Sequence, residues 1–322
     1  MPKKKLSSSI LMLMLLLVSL TQGASAGMKP ASSVPLPCES HDQLISPTGD
    51  QVAVWCSDHT VRLVDAGSGK TEHTFGPQPR ITAYDYSRDG RWFATGLRDG
   101  TVEVVSTSGA AEPKRWKSEP RRIHELKFFP DSSGIVVAAL DSPGQVWDLR
   151  GTPKQLATLH SDFAGLIHCG FSPDGKLLVT ANGDTVIRFY DTATWKTLHE
   201  YRGVTLETFA VTFTTDGKRV LIGGPDDRIT VLDAASGAEL EKLPKEADVV
   251  WQILPFGNDG QARILYFDGE GKRPDHESIW NVNTAKSIPV SAERPVTGSG
   301  VVNGKLWLSS TNGKVLDIWV YE

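Results

Sequence analysis

The stretch FSPDGKLLVTANGDTVIRFYD, residues 171–191, decides the fold. It reads as two short β-strands with a turn before each. KLLVTA and VIRFYD are rich in β-branched and aromatic residues, and Asp174-Gly175 is a tight-turn dipeptide. The same design recurs as ISPTGDQVAVWCSDHTVRLVD (45–65), YSRDGRWFATGLRDGTVEVVS (86–106) and FTTDGKRVLIGGPDDRITVLD (213–233). Turn glycines fall at Gly49, Gly90, Gly134, Gly175, Gly217, Gly260 and Gly304, with successive spacings of 41, 44, 41, 42, 43 and 44 residues. A period in this range marks a repeat architecture.

Each unit continues past that pair. A second turn carries Asp58, Asp99, Asp141, Asp184 or Asp226, each seven residues before the polar end of a third strand at Asp65, Ser106, Asp148, Asp191 or Asp233. A fourth strand closes the unit, as in SGKTEHTF (68–75) and TWKTLHEY (194–201). No helical period interrupts the pattern. Four antiparallel strands leave both sheet faces uncovered. Repeating the sheet around an axis lets neighbours cover them. The sequence therefore predicts an all-β chain of seven four-stranded antiparallel blades.

The repeats resemble the WD40 family of β-propellers over essentially all of residues 28–322. Phe171-Ser172-Pro173-Asp174-Gly175 and the dipeptide Trp147-Asp148 carry the resemblance. Elsewhere the dipeptide reads Val64-Asp65, Tyr190-Asp191, Leu232-Asp233 or Trp280-Asn281. The family's Gly-His pair is absent as such, although His41 and His160 stand near its place. The family's buried His–Ser/Thr–Asp–Trp network is thus largely missing, and packing is expected to hold most blades together.

Unit seven ends after three strands: residues 298–302, KLWLSS and VLDIWVYE. The spare segment KPASSVPLP (29–37) is expected to supply the fourth, beside residues 315–321, closing the ring and removing an exposed edge. Its prolines suit an outermost strand, where one side needs no ladder.

Ahead of the propeller, Lys3, Lys4 and Lys5, the apolar run ILMLMLLLVSL (10–20) and Ala24-Ser25-Ala26 form the three parts of a secretory signal peptide. Cleavage is expected after Ala26, leaving one propeller over residues 27–322. Eleven apolar residues rise about 16 Å as a helix, roughly half a bilayer core, which disfavours a membrane anchor. Pro35-Leu36-Pro37-Cys38 is a poor lipoprotein site. The absence of Asn-x-Ser/Thr sites favours a bacterial envelope, periplasmic or extracellular. Removing the three leader lysines takes the net charge from −4 to −7, a poor balance for binding nucleic acid through phosphates. A monomer is expected.

Export implies an oxidising compartment. In the resembled family, loops after the fourth and second strands share one face. That places Cys38, entering blade one, within reach of Cys56, at the end of its second strand. A disulfide and two free thiols both remain open. Cys169, in LIHCGF, reads as a buried apolar residue.

No nucleophile elbow, Cys-x-x-Cys, His-Glu-x-x-His or phosphate loop is present, and no cofactor or metal is expected. The resemblance implies a protein- or peptide-binding module working through the loop-rich face around the central channel. PKRWKSEPRR (113–122) offers Trp116, Arg121 and Arg122 to an acidic partner segment. Trp251 opens the inner strand of blade six as a channel-mouth aromatic or a core residue. The insertion DGEGKRPDHE (268–277) offers His276 and acidic groups, on a loop read chiefly as solvated polar chain. The alternative is a propeller enzyme, of lactonase or quinone-cofactor dehydrogenase type, or a small-ligand sensor. Against the enzyme, inner strands begin with apolar residues such as Ile81, Ile123, Leu166 and Val249, and no converging carboxylates are apparent.

Overall fold

The computed structural model describes residues 28–321, apart from 78–80, 119–121, 141, 161–164, 205–207, 226–227, 245–248, 268–275, 290–295 and 313. The leader lies outside the described residues.

Strand β1 (Met28–Pro35) precedes blade one, which is β2 (Ser40–Ile45), β3 (Gln51–Cys56), β4 (Val61–Asp65) and β5 (Thr71–Phe75). Blade two is β6 (Ile81–Tyr86), β7 (Trp92–Leu97), β8 (Thr101–Ser106) and β9 (Lys114–Lys117). Blade three is β10 (Ile123–Phe128), β11 (Gly134–Ala139), β12 (Ser142–Asp148) and β13 (Lys154–Thr158). Blade four is β14 (Leu166–Phe171), β15 (Leu177–Asn182), β16 (Ile187–Asp191) and β17 (Thr197–Tyr201). Blade five is β18 (Ala210–Phe213), β19 (Arg219–Gly223), β20 (Thr230–Asp233) and β21 (Glu239–Lys242). Blade six is β22 (Val249–Phe256), β23 (Gln261–Phe267), β24 (His276–Asn281) and β25 (Lys286–Pro289). Blade seven is β26 (Gly298–Val302), β27 (Lys305–Thr311), β28 (Val315–Tyr321) and β1.

The chain is a seven-bladed β-propeller. Strand β1 pairs antiparallel with β28, from Met28 opposite Tyr321 to Pro35 opposite Val315, and is the outermost strand of blade seven. The inner strands β26 and β2 also pair, in parallel, Gln43 opposite Gly298 and Leu44 opposite Ser299, so blades seven and one form one eight-stranded sheet. Gly298 and Gly300 make this approach possible, because a Cβ at either would lie 2.4 Å from the Gln43 carbonyl oxygen or 2.8 Å from that of Ile45. Buried Gln43 fastens the seam. Its amide donates to Ser40 Oγ at 2.7 Å and its carbonyl accepts from Thr297 Oγ1 at 2.5 Å and Ser309 Oγ at 3.2 Å. A Cys38–Cys56 disulfide, with Cα atoms 5.6 Å apart, ties the same seam. Cys169 is free and buried; that burial, with the nearby Glu125 and Asp85 charges, pushes its thiol pKa up.

Between blades the core is aliphatic and aromatic. Val136, Ala138, Val146 and Leu159 of blade three pack on Leu166, Cys169, Leu178 and Tyr190 of blade four. Each valine or leucine side chain removed from water there contributes about 1.5–3 kcal/mol.

The turn aspartates are structural. Asp174 accepts from Ser172 Oγ at 2.7 Å and the Lys176 N–H at 3.1 Å, and Asp216 accepts likewise from Thr214 and Lys218. At the end of the third strand, Asp191 accepts from Thr194 N–H and hydroxyl, and Asp233 from Ser236. One expectation is corrected. Gly134 does not form the turn of blade three; it opens β11, and Ser132 takes the left-handed conformation there, φ 61°. The buried network is also replaced rather than simply lost. In blade four Arg188, fully buried, pairs with buried Asp184 at 2.8 Å and with Glu200 at 3.1 Å.

Candidate functional site

Loops after fourth strands and after second strands gather on one face, where the inner strands begin. There the pairing of inner strand with second strand slips once in blade after blade: between Ser40 and Asp42, Ile81 and Ala83, Ile123 and Glu125, Leu166 and His168, and Val250 and Gln252. Each slip is a β-bulge, which frees one residue from the ladder and re-aims it. The freed positions are 41, 82, 124, 167 and 251. Thr82, His124 and Trp251 are exposed there, Trp251 by 47%. In blade five Phe209 occupies the matching place and its ring lies 5.3 Å from that of Trp251. Thr82, His124 and Trp251 therefore frame the channel mouth together with Phe209, aromatic on the side of blades five and six.

Behind the mouth runs a titratable wall from blade one to blade four. The Tyr84 hydroxyl donates to the carboxylate of Asp42. Asp42 is reachable by water yet ringed by protein, and that burial raises its pKa. Asp85 accepts the Phe128 N–H at 2.9 Å. Burial pushes its pKa up to about 6, while the Lys127 charge opposes the rise. Lys127 is raised by the carboxylates of Asp85 and Glu125. Glu125 meets His168 Nδ1 at 2.8 Å, and the ring of His168 lies 5.3 Å from His124. Asp85 and Glu125 face the Lys127 ammonium and Asp42 stands beside Tyr84, so the wall carries three carboxylates and one ammonium. Among the described residues no group of three or more His, Cys, Asp or Glu side chains is arranged to hold a metal ion.

This wall lies beyond the strand starts on which the sequence reading rested. The first residues of the inner strands are apolar, but the residue one step past the bulge is Asp42, Glu125, His168 or Gln252, and three steps past it stand Asp85 and Lys127. Aligning the inner strands on the repeat period would have displayed both columns.

The expected site residues divide. Trp251 is at the mouth. Arg122 is exposed on the same face, at φ 57°, its N–H donating at 2.9 Å to the carbonyl of Arg98, which is exposed too. Trp116 is placed elsewhere: it stands on β9, the outermost strand of blade two, half-buried against Trp147 at 5.4 Å. Its neighbours Lys114 and Lys117 are engaged, by the Leu149 and Gly151 carbonyls and by Asp99 at 2.6 Å. Arg121 and most of the 268–277 insertion lie outside the described residues. His276 opens β24 through its backbone, and its side chain is outside them as well.

Known proteins bear on this geometry. The model of the WD domain, G-beta repeat, matches residues 69–106 and 153–191. WD repeat-containing protein SL1-17 of Schistosoma mansoni is 26% identical over 148 residues, covering 46% of this chain and 48% of that one. SEC12-like protein 1 of Arabidopsis thaliana is 30% identical over 161 residues, covering 46% and 38%. The chain spans about half, or less, of the length of these relatives. The β-propeller domain of Myceliophteria thermophila Cps50 (Swd1) superposes with a TM-score of 0.71 at 12% identity, covering 91% of this chain and 99% of that domain. Two stretches of the chain thus match the WD repeat, and its fold is that of a WD-repeat β-propeller.

Proposed function

We propose that this chain is an exported interaction module that holds a protein segment across its channel mouth, with a basic side chain of the partner entering the throat. WD-repeat propellers generally bind proteins, and the WD-repeat matches of this chain support the same role. The observation that carries the finer reading is the acidic wall of Asp42, Asp85 and Glu125 on blades one to three, with exposed Trp251 and half-buried Phe209 on blades five and six. An arginine or lysine at the mouth has aromatic faces on one side and carboxylates on the other, which suits cation–π and charge-assisted contacts. Arg98 and Arg122 on the rim suit an acidic residue flanking that side chain. Export rests on the leader sequence, and the Cys38–Cys56 bond fits an oxidising compartment.

An arrayed peptide library probed with residues 27–322 tests the partner class. Bound peptides are expected to share an arginine or lysine, and Trp251→Ala or Glu125→Gln to weaken them at least tenfold. Binding that ignores basic residues, or survives both substitutions, overturns the reading. Export is tested separately by the N-terminus of the protein recovered from the cell envelope, expected at Gly27; an intact Met1 would contradict it.

A further inference from the structure

On the opposite face, where first and third strands end, a cleft of ≈ 670 Å³ opens between blades three and four. Its apolar surface includes Phe129, Phe171, Trp195 and Leu156. Phe129 is the centre of that surface, with its ring 5.3 Å from Phe171 and 5.5 Å from Trp195. Leu156 stands at a bulge of the outermost strand of blade three, skipped between Trp147–Gln155 and Val146–Ala157, and is 42% exposed.

The charges around the cleft are unequal in their commitments. Arg150 is held by Asp148 through two hydrogen bonds of 3.0 and 2.8 Å. Asp174 is engaged by Ser172, Lys176 N–H and, at 3.5 Å, the Lys176 ammonium. Asp131 accepts from Ser133 N–H and hydroxyl. Arg88 alone among these reaches in from blade two. Its Nη1 donates at 2.9 Å to the Pro173 carbonyl, and it has no carboxylate partner among the described residues. That one bond to a neutral oxygen anchors the guanidinium at the cleft and leaves its Nε–Nη2 edge uncommitted. This edge is the fork that binds a carboxylate bidentately.

We propose that the cleft is a second docking site, for an extended protein segment in which an aromatic side chain is followed by an acidic one. The aromatic ring lies on Phe129 and Trp195, and the carboxylate takes the free edge of Arg88. The site is independent of the channel mouth, since the two use opposite faces and share no residue.

The test uses residues 27–322 and two capped peptides, acetyl-Pro-Phe-Glu-amide and acetyl-Pro-Phe-Gln-amide, titrated by nuclear magnetic resonance. The glutamate peptide is expected to bind at least tenfold tighter and to shift the indole resonance of Trp195. Arg88→Gln, an exposed substitution whose fold is checked by thermal melting, is expected to erase the tenfold preference. Trp251→Ala is expected to leave both affinities unchanged. Equal affinity for the two peptides, a preference that survives Arg88→Gln, or no saturation at millimolar peptide would overturn the proposal.

Discussion

The aspartates of the turns and the aspartates of the channel are the same residue put to opposite uses. Asp99 and Asp148 sit at the surface, where Lys117 and Arg150 and nearby backbone N–H groups hold their carboxyls at about 2. Asp85 sits among protein atoms, and burial lifts it to about 6. Local hydrogen bonding stabilises the charge in the first case; lost solvation penalises it in the second. Turn aspartates recur because every blade needs its turns. Channel aspartates do not recur from blade to blade. In a repeat protein, the periodic residues report the scaffold and the aperiodic ones at matched positions report the site.

Substitutions can break that contrast. The largest effect is expected from Asp184→Ala, which leaves Arg188 buried without its nearest carboxylate and should cost about 3–5 kcal/mol in urea unfolding. Here a turn aspartate has moved inside and behaves unlike its surface counterparts. Opening the seam with Cys38→Ser and Cys56→Ser, separated by 18 residues, should cost about 3 kcal/mol by the same measurement.

Asp85→Asn should have the opposite sign at neutral pH. The folded pKa of Asp85 exceeds its unfolded value, so ionisation works against folding above pH 6 and not below pH 3.8. The variant should gain about 2 kcal/mol over the native protein between pH 4 and pH 7, read from unfolding curves at both values. A flat difference would mean that Asp85 is solvated like a turn aspartate. The smallest effect is expected from Asp99→Asn, below about 1 kcal/mol at pH 7. Its folded pKa is depressed, so that contribution is present above pH 3.8 and disappears as pH falls through about 2.

Most of the fold was legible because turn chemistry and strand period are local. Gly49, Gly90, Gly175, Gly217, Gly260 and Gly304 all take positive φ at the turns their spacing marks. The closing strand was legible from a deficit, one strand missing from unit seven and KPASSVPLP spare. Blade three's turn was not, because Ser132 adopts a conformation usually reserved for glycine or asparagine. The site was harder to read. Trp251 announces itself, but Asp42, Asp85, Lys127 and His168 come together only once the repeats are laid side by side. Their contacts run between blades, about one repeat apart in the chain. The cleft beside Arg88 was invisible for a further reason: a guanidinium from blade two reaches a carbonyl of blade four, skipping a repeat altogether.

The recurring slip at positions 41, 82, 124, 167 and 251 has an evolutionary consequence. A bulged residue contributes no ladder pairing, so its identity is released from the demands of the core. Blades two, three and six can exchange Thr82, His124 or Trp251 at the mouth without renegotiating the sheet beneath. Specificity can then be rewritten one position at a time, like letters on a fixed ring, while the propeller that carries them stays the same.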